Sequence, residues 1–306
     1  MTEKVFINDV GPRDGLQNQP KVLSAQQRVQ LISALVDAGV TAIEVGSFVS
    51  PKAVPAMANT DEVIAQLPGG IRSEQVCYSA LIPNIKGYEM ALASNVACLE
   101  LVVASSNTMN VENIRQTTEQ AMSGAKSIIE RSKADAIDAV ACISTAWDCP
   151  FEGAINADVV VAMTNDLLEM GATRVVIADT IGAAGPHAVN TLMLRLVAQF
   201  GADKLACHFH DTRGMGVANT FAAVSAGIRH FDASVGGLGG CPFAPGATGN
   251  VATEDIVLML SQAGYDTGID LAKLVEAADL AGEFTGSCTG GHSSRWLKRQ
   301  IEKGEL

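Results

Sequence analysis

The sequence predicts an α/β protein of the TIM (β/α)8 barrel class with extra C-terminal helices. Short β-rich segments alternate with longer amphipathic segments along the chain, with a repeat of roughly thirty residues. The short segments number eight, which is the number of strands that closes a TIM barrel. Glycines at positions 39, 171, 201 and 227 follow four of the amphipathic segments and can cap helices in the left-handed conformation.

Each predicted element follows from its hydrophobic period. The predicted strands are Lys4–Asp9, Ala42–Val45, Gln75–Ser79, Cys98–Val103, Ile137–Cys142, Arg174–Asp179, Leu205–His210 and Phe231–Val235. Apolar residues at every third or fourth position predict helices at Ala25–Ala38, Val111–Lys133, Ala157–Met170, Ala188–Phe200 and Val217–Ala226. We expect one domain over residues 1–306, with the barrel at about 1–265 and a helical extension at about 266–306.

The extension contains a predicted helix at Asp270–Glu283 and a basic end, RWLKRQIEKGEL. This end either covers the barrel mouth or packs as a surface helix through Trp296, Leu297 and Ile301.

The composition excludes several classes of function. The chain has a formal net charge of −12, whereas nucleic-acid binding needs a basic surface that releases counterions from phosphates. We find no apolar segment with the length of a membrane span and no signal or transit pattern at the start. Seven cysteines without a small-domain spacing indicate reduced thiols. We therefore expect a cytoplasmic protein that binds neither nucleic acid nor membrane.

Two histidines at the end of the seventh predicted strand indicate a metal site. His208 and His210 are two residues apart, and side chains two apart on a strand project from the same face. The carboxyl ends of the strands form the active-site mouth of a parallel barrel, where this pair would lie. A purely structural role for the histidines is the alternative.

Oxygen ligands can join the two imidazoles. Asp14 follows the first predicted strand and Asn250 follows the eighth, so that a carboxylate and an amide oxygen can complete the set. Such a set favours Mg²⁺ or Mn²⁺, with Zn²⁺ as the alternative. The competing roles are helix capping for Asp14 and a turn role for Asn250.

Other charged residues are predicted at the same mouth. Arg13 can stabilise an oxyanion, and Glu44 on the second strand can hold Arg13 in position. An ordinary ion pair between the first two strands is the alternative. Asp179, at the end of the sixth strand, can orient a ligand, move a proton or cap the next helix.

The loop Gly236–Asn250 holds six glycines and two prolines, which is typical of a mobile active-site segment. Cys241 lies within it, where a thiol can donate or accept a proton. Cys77, Cys98 and Cys142 fall within apolar strands and are predicted to be core residues.

Five segments of the chain resemble the hydroxymethylglutaryl-CoA lyase family in order and spacing. They are VGPRDGLQN, IEVGSFVSPKAVPAM, ADTIG, HFHDTRG and GGLGGCPFAPGATGNVATED. The resemblance extends over nearly the whole chain, and the combination of the cysteine loop, HFHD and PRDG is highly specific. The family fold is a TIM barrel, which agrees with the strand count.

The resemblance implies a role for each candidate residue. The implied metal ligands are Asp14, His208, His210 and Asn250. Arg13 is implied to contact the thioester oxygen, and Cys241 to be the catalytic acid or base. Glu44 and Asp179 are implied to orient Arg13 and to move protons. We also expect His208 to take part in catalysis, and Gln17 and Ser47 to bind substrate together with Arg13.

The implied reaction is the metal-dependent retro-Claisen cleavage of 3-hydroxy-3-methylglutaryl-CoA to acetyl-CoA and acetoacetate, a step of leucine degradation. The implied partner is the acyl-CoA substrate, and we expect a homodimer. The sequence departs from the family pattern at Gln19–Pro20, Val176, Arg213 and Met215, which we expect near the mouth. These departures leave the acyl substituent and the CoA contacts open.

Three alternatives remain. A lyase of the same family can act on citramalyl-CoA or on a longer 3-hydroxy-3-alkylglutaryl-CoA. A synthase of the isopropylmalate or homocitrate type condenses acetyl-CoA with a 2-oxo acid, but such enzymes usually carry a further C-terminal region. A noncatalytic barrel would bind metal or acyl-CoA without turnover.

Overall fold

The computed structural model describes residues 2–240, 249–287 and 290–306. In this part of the chain, eight parallel strands form a closed barrel whose order around the ring follows the chain. The strands are β1 (Phe6–Asp9), β2 (Ala42–Ser47), β3 (Cys77–Leu81), β4 (Cys98–Ala104), β5 (Asp138–Ser144), β6 (Arg174–Asp179), β7 (Leu205–Phe209) and β8 (His230–Ala233). Because β8 pairs with β1, the ring is closed and the TIM-barrel prediction is confirmed.

Helices surround the barrel and continue beyond it. They are α1 (Ala25–Asp37), α2 (Thr60–Ile64), α3 (Ile85–Ala93), α4 (Asn107–Ile114), α5 (Thr118–Ala134), α6 (Ala157–Met170), α7 (Pro186–Phe200), α8 (Gly216–Ser225), α9 (Thr253–Gln262), α10 (Leu271–Thr285) and α11 (Ser294–Lys303). The helices in the described residues all lack the combination of length and apolar character that would let one cross a membrane. The apolar period does not predict α2, α3 or α9, and α2 is only five residues long.

The prediction of one helix at Val111–Lys133 is wrong. The segment forms α4 and α5, which are separated at Arg115, where φ is 57° and the backbone is left-handed. Thr117 then begins α5, because its hydroxyl accepts the N–H of Gln120 and the Gln120 side chain accepts the N–H of Thr117. This reciprocal cap starts a new helix within the polar run at residues 115–120, which interrupts the apolar period.

The C-terminal end packs as a surface helix, and the segment that precedes it lies at the barrel mouth. In α11, Leu297 is buried against the rest of the protein and Trp296 is 47% exposed, while the helix contacts α10. The residues before α11 reach the barrel mouth, where Glu254 accepts the N–H of Gly291 and Asp255 accepts the N–H of His292. The extension is therefore a surface helix whose preceding segment is attached to the mouth.

The core prediction for the strand cysteines is partly wrong. Cys98 is buried and Cys142 is mostly buried, but Cys77 is exposed. Cys77 is the first residue of β3, so that it lies at the end of the barrel opposite the mouth. Position within the strand, rather than the apolar neighbours, decides its exposure.

Four polar side chains, Asn8, Ser79, Glu100 and Asp232, lie inside the barrel below the mouth; we call them the inner polar layer. They line a cavity of about 80 Å³, at a depth where TIM barrels usually hold bulky branched side chains. Val176 lines the same cavity, so the expectation that this residue lies near the mouth is wrong. A polar cavity of this size has room for water.

The inner polar layer predicts a pH dependence of stability. Burial raises the pKa of Glu100 to about 7, and the charge of Asp232 adds to the rise. Because the folded pKa exceeds the unfolded one, this group stabilises the fold at low pH and loses that contribution as pH rises through about 7. Glu100→Gln lacks the titration, yet its amide oxygen can still accept the hydrogen bonds from Ser79 and Asn8.

We predict that the unfolding free energy of the wild type falls relative to that of Glu100→Gln by on the order of 1–2 kcal/mol between pH 5 and pH 8. Urea denaturation of both proteins at the two pH values measures the difference. A difference that does not change with pH would show that Glu100 keeps an ordinary pKa.

Candidate metal centre at the barrel mouth

The candidate site begins with a single π-helical turn, Gly11–Gly15, which follows β1. The buried Asp9 holds this turn, because its Oδ1 accepts the N–H of Gly11 at 2.9 Å and its Oδ2 accepts the Thr253 hydroxyl at 2.7 Å. Burial raises the pKa of Asp9 to about 7 despite these two hydrogen bonds. Asp9 thus links the β1 turn to the start of α9, and motif inspection did not single it out.

Asp14, His208 and His210 come together at the mouth. Each offers one ligand atom, and these three atoms all lie within 4.8 Å of one another. The two imidazole centroids are 5.2 Å apart, as expected for side chains on the same face of β7 and its end. His210 Nε2 lies 4.0 Å from Asp14 Oδ2. This spacing is small enough for one cation to contact all three side chains.

Asn250 joins the group through the backbone and its side chain. It forms an isolated antiparallel bridge with His210, and its Nδ2 donates to Asp14 Oδ2 at 2.8 Å and to the Leu238 carbonyl at 3.1 Å. Within the described residues, Asn250 Oδ1 is buried without a hydrogen-bond partner. A buried oxygen of this kind is costly unless a ligand satisfies it, so the residues present fit a cation that prefers oxygen and nitrogen donors.

The protonation states of Asp14 and His210 suit a metal ligand set. Burial alone would raise the pKa of Asp14, but Arg13 and the two histidines lower it to about 2. Burial lowers the pKa of His210 to about 4, and the neighbouring His208 adds to the effect. Burial also acts to lower the pKa of His208, but its contact with Asp232 outweighs this and leaves it raised. At neutral pH, Asp14 is ionised and His210 is neutral, as metal binding requires.

Arg13 is fixed between two carboxylates. Its Nη1 donates to Asp14 Oδ1 at 2.8 Å, and its Nε lies 2.6 Å from Glu44 Oε2. Glu44 is fully buried; burial raises its pKa and the charge of Arg13 opposes that rise. The structure therefore brings together Arg13 and Glu44 as the sequence suggested, across β1 and β2.

A bulge in β2 explains how Glu44 faces Arg13. The register with β3 shifts between Glu44 and Gly46, and the buried Arg28 donates from Nη2 to the Val45 carbonyl at 2.9 Å. A side chain at Gly46 would place Cβ 2.5 Å from Arg28 Nη2. Bulges redirect neighbouring side chains, and here Arg28 and Gly46 shape the bulge. The glycine within the strand motif IEVG is the sequence signal for such a bulge.

Two further predicted residues lie beside the centre. Gln17 donates from Nε2 to Asp14 Oδ1 at 3.0 Å, so that it contacts the ligand carboxylate directly. Ser47 is buried, and its hydroxyl donates to the Leu81 carbonyl at 3.2 Å. In this structure both side chains are therefore engaged with the protein itself.

Asp179 holds the loop that follows β6. Its two carboxylate oxygens accept the N–H groups of Ala183 and Ala184 at 2.9 and 3.0 Å. Burial raises its pKa, while these two hydrogen bonds act in the opposite direction. Asp179 accepts backbone N–H groups as a capping residue does, but these groups lie in the loop before α7, which begins at Pro186. Cys241 lies outside the described residues.

A large open cavity of about 900 Å³ adjoins the centre. It is bounded by the turn after β8, by Asp211 and Asn250, and by the segment that precedes α11. His292 from that segment pairs with Asp211, with Nε2 and Oδ2 3.0 Å apart. Arg295 adds a positive charge to the wall.

Comparison with known proteins agrees with this geometry. The HMGL-like family matches residues 4–281. The hydroxymethylglutaryl-CoA lyase of Pseudomonas mevalonii is 41% identical over 274 residues, covering 90% of both chains. The (R)-citramalyl-CoA lyase of Chloroflexus aurantiacus is 40% identical over 284 residues, also covering 90% of each.

A solved HMG-CoA lyase from Acinetobacter baumannii, in complex with coenzyme A and 3-methylmalate, superposes with a TM-score of 0.90. It is 37% identical in sequence, and the match covers 95% of this chain and 94% of that one. The family match and the high-coverage relatives lead to one conclusion: this chain belongs to the HMGL-like family of TIM-barrel carbon–carbon lyases.

Proposed function

We propose that the protein catalyses the divalent-metal-dependent retro-Claisen cleavage of 3-hydroxy-3-methylglutaryl-CoA to acetyl-CoA and acetoacetate. The observation that carries the proposal is the cluster of Asp14, His208 and His210 at the barrel mouth, with Arg13 bonded to the same aspartate. The relative from Pseudomonas mevalonii, named for this reaction, supports the choice of substrate.

The proposed ligands are Asp14, His208, His210 and Asn250. When bound, Mg²⁺ or Mn²⁺ would act as a Lewis acid that lowers the pKa of the substrate's 3-hydroxyl. One carboxylate and one amide oxygen beside two imidazoles form a hard, oxygen-containing set without thiolate, which favours these ions over Zn²⁺.

Arg13 is proposed to stabilise the charge that develops during bond cleavage. When the bond between C2 and C3 breaks, its electron pair stays on the acetyl fragment and gives an enolate whose charge lies largely on the thioester oxygen. A guanidinium held by Asp14 and Glu44 needs no reorganisation to meet that charge. Glu44 supports this role as the buried partner that fixes Nε.

The reaction moves two protons that balance. The 3-hydroxyl loses one, and C2 of the enolate gains one to complete acetyl-CoA. We propose that Cys241 acts as the acid or base for one of these transfers and that His208 contributes as a catalytic ligand. The two backbone hydrogen bonds that Asp179 accepts favour a role in holding its loop over direct proton transfer.

The wide cavity supports an acyl-CoA as the substrate. At about 900 Å³ it lies within the range of ligand sites, and Arg295 supplies a cation for an anionic nucleotide despite the acidic net charge. Arg13, Gln17 and Ser47 are our proposed residues at the acyl end. The hydrogen bond from Gln17 to Asp14 supports the placement of Gln17 at the acyl end.

Cleavage of citramalyl-CoA is the second candidate, because a relative of nearly equal identity carries that name. We propose that the same ligands and arginine serve both substrates, which differ only in the C3 substituent that carries the carboxylate. A role in leucine degradation, a cytoplasmic location and a homodimer are further proposals that accompany the principal function.

The first prediction that follows from the proposed function concerns turnover. Incubation with 3-hydroxy-3-methylglutaryl-CoA and Mg²⁺ or Mn²⁺ should release acetyl-CoA and acetoacetate, and EDTA should stop the release because the ligand set is then empty. A panel of acyl-CoA esters that differ at C3, including citramalyl-CoA, ranks the substrates by kcat/KM. Turnover that survives exhaustive chelation would contradict the metal requirement.

A matched incubation with acetyl-CoA and 2-oxo acids tests the synthase alternative. We expect no rapid release of free CoA. Rapid release would replace the lyase with a condensing enzyme.

The second prediction concerns Arg13. Arg13→Lys should lower kcat by about 10²- to 10³-fold, because a lysine ammonium cannot reproduce the fork between Asp14 and Glu44. Arg229→Lys is the control, since Arg229 pairs with the exposed Glu3 at the opposite end of the barrel. Steady-state kinetics at saturating metal measure both variants, and a kcat for Arg13→Lys within about tenfold of wild type would exclude the proposed role.

The third prediction concerns the thiols of Cys241 and Cys77. Cys241→Ser should lose most of its turnover while it still binds Mn²⁺, because the serine hydroxyl is a much weaker acid than a thiol. Cys77→Ser, at the exposed start of β3, should turn over normally. Near-normal turnover of Cys241→Ser would remove Cys241 from the mechanism.

A further inference from the structure

Within the described residues, the inner polar layer contacts the candidate metal centre through His208 and Asp232. His208 Nδ1 lies 3.2 Å from Asp232 Oδ2 in the interior of the barrel. The two residues are register partners on β7 and β8, so that the strand pairing itself places them side by side. The contact therefore depends on the register of two barrel strands rather than on a loop.

Asp232 is held on its other side as well. Its Oδ1 accepts a hydrogen bond from Asn8 Nδ2 at 3.0 Å, so that both carboxylate oxygens are engaged. Asn8 belongs to β1, the strand that leads to Asp14. A carboxylate fixed at both oxygens can impose one orientation on the imidazole beside it.

We propose that Asp232 is a positioning residue for His208: by accepting the Nδ1–H it fixes the imidazole and reserves Nε2 for the cation. The inference rests on the proposed metal-dependent function. A histidine can bind a metal only through a deprotonated nitrogen, and an acceptor at the other nitrogen selects that tautomer and makes the ligand more basic.

The two histidines differ in this respect. His210 Nδ1 is buried and has no hydrogen-bond partner within the described part of the chain. His208, unlike His210, therefore has a carboxylate in addition to that of Asp14 beside its ring, and this carboxylate belongs to Asp232. A change at Asp232 should act on one ligand and leave the other three ligands in place.

Glu100 offers a matched control in the same layer. It is a buried carboxylate like Asp232, and its Oε1 accepts hydrogen bonds from Ser79 at 2.7 Å and from Asn8 at 3.4 Å. It makes no described hydrogen bond to His208. Glu100→Gln removes a carboxylate from the layer and keeps an oxygen acceptor, so that it separates loss of charge from loss of the contact with His208.

Two measurements test the inference with Mn²⁺ alone as the probe. Calorimetric titration should show that Asp232→Asn weakens Mn²⁺ binding by about 10- to 100-fold. The loss of Mn²⁺ affinity in Glu100→Gln should be well below about tenfold. In ¹⁵N spectra of the metal-free full chain at pH 8, wild-type His208 should carry its proton on Nδ1, and Asp232→Asn should shift the population toward the other tautomer. Thermal unfolding of the metal-free variants verifies that both are folded.

Each outcome decides the matter. Equal Mn²⁺ affinity of Asp232→Asn and wild type, or an equal loss in Glu100→Gln, overturns the positioning role. A neutral wild-type His208 that carries its single proton on Nε2 instead of Nδ1 overturns it without any variant, should Asp232→Asn fail to fold. Wild type that binds Mn²⁺ with the expected tautomer but does not cleave any acyl-CoA would refute the proposed function and leave this inference standing.

Discussion

The mouth of the barrel is organised around one carboxylate, that of Asp14. It receives hydrogen bonds from Arg13, Gln17 and Asn250 and faces His210 at 4.0 Å. These partners come from the turn after β1, the end of β7 and the segment after β8. A charge with so many donors is stabilised in its ionised form, and it determines where a cation can sit.

Buried polar residues below this carboxylate hold the residues of the site in position. Asp9 holds the turn that carries Asp14, Arg28 shapes the bulge that aims Glu44 at Arg13, and Asp232 contacts His208. Polar groups in a barrel interior are costly unless they are paired. Their pairing here provides a rigid frame for the ligands, which is what a catalytic site with a narrow range of useful geometry requires.

The sequence predicted the barrel and the ligand cluster because both follow from local periodicity. Strands alternate with helices, and two histidines at a spacing of two must share a face of β7. It did not predict Asp9, Arg28 or Asp232, because their roles depend on register and packing between distant segments. The break at Arg115 was missed although the polar run at residues 115–120 interrupts the apolar period there. The exposure of Cys77 was missed because it depends on the position of this residue at the first end of β3, which its apolar neighbours do not indicate.

The central claim is that residues at the end of β7 and in the segments after β1 and β8 share one cation, and crystallography tests it directly. Crystals grown with Mn²⁺ should give an anomalous difference peak at coordination distance from Asp14, His208, His210 and Asn250 together, with Asn250 Oδ1 as the amide ligand. A peak bound only by surface carboxylates, or no peak at the mouth under conditions that support turnover, would contradict the account.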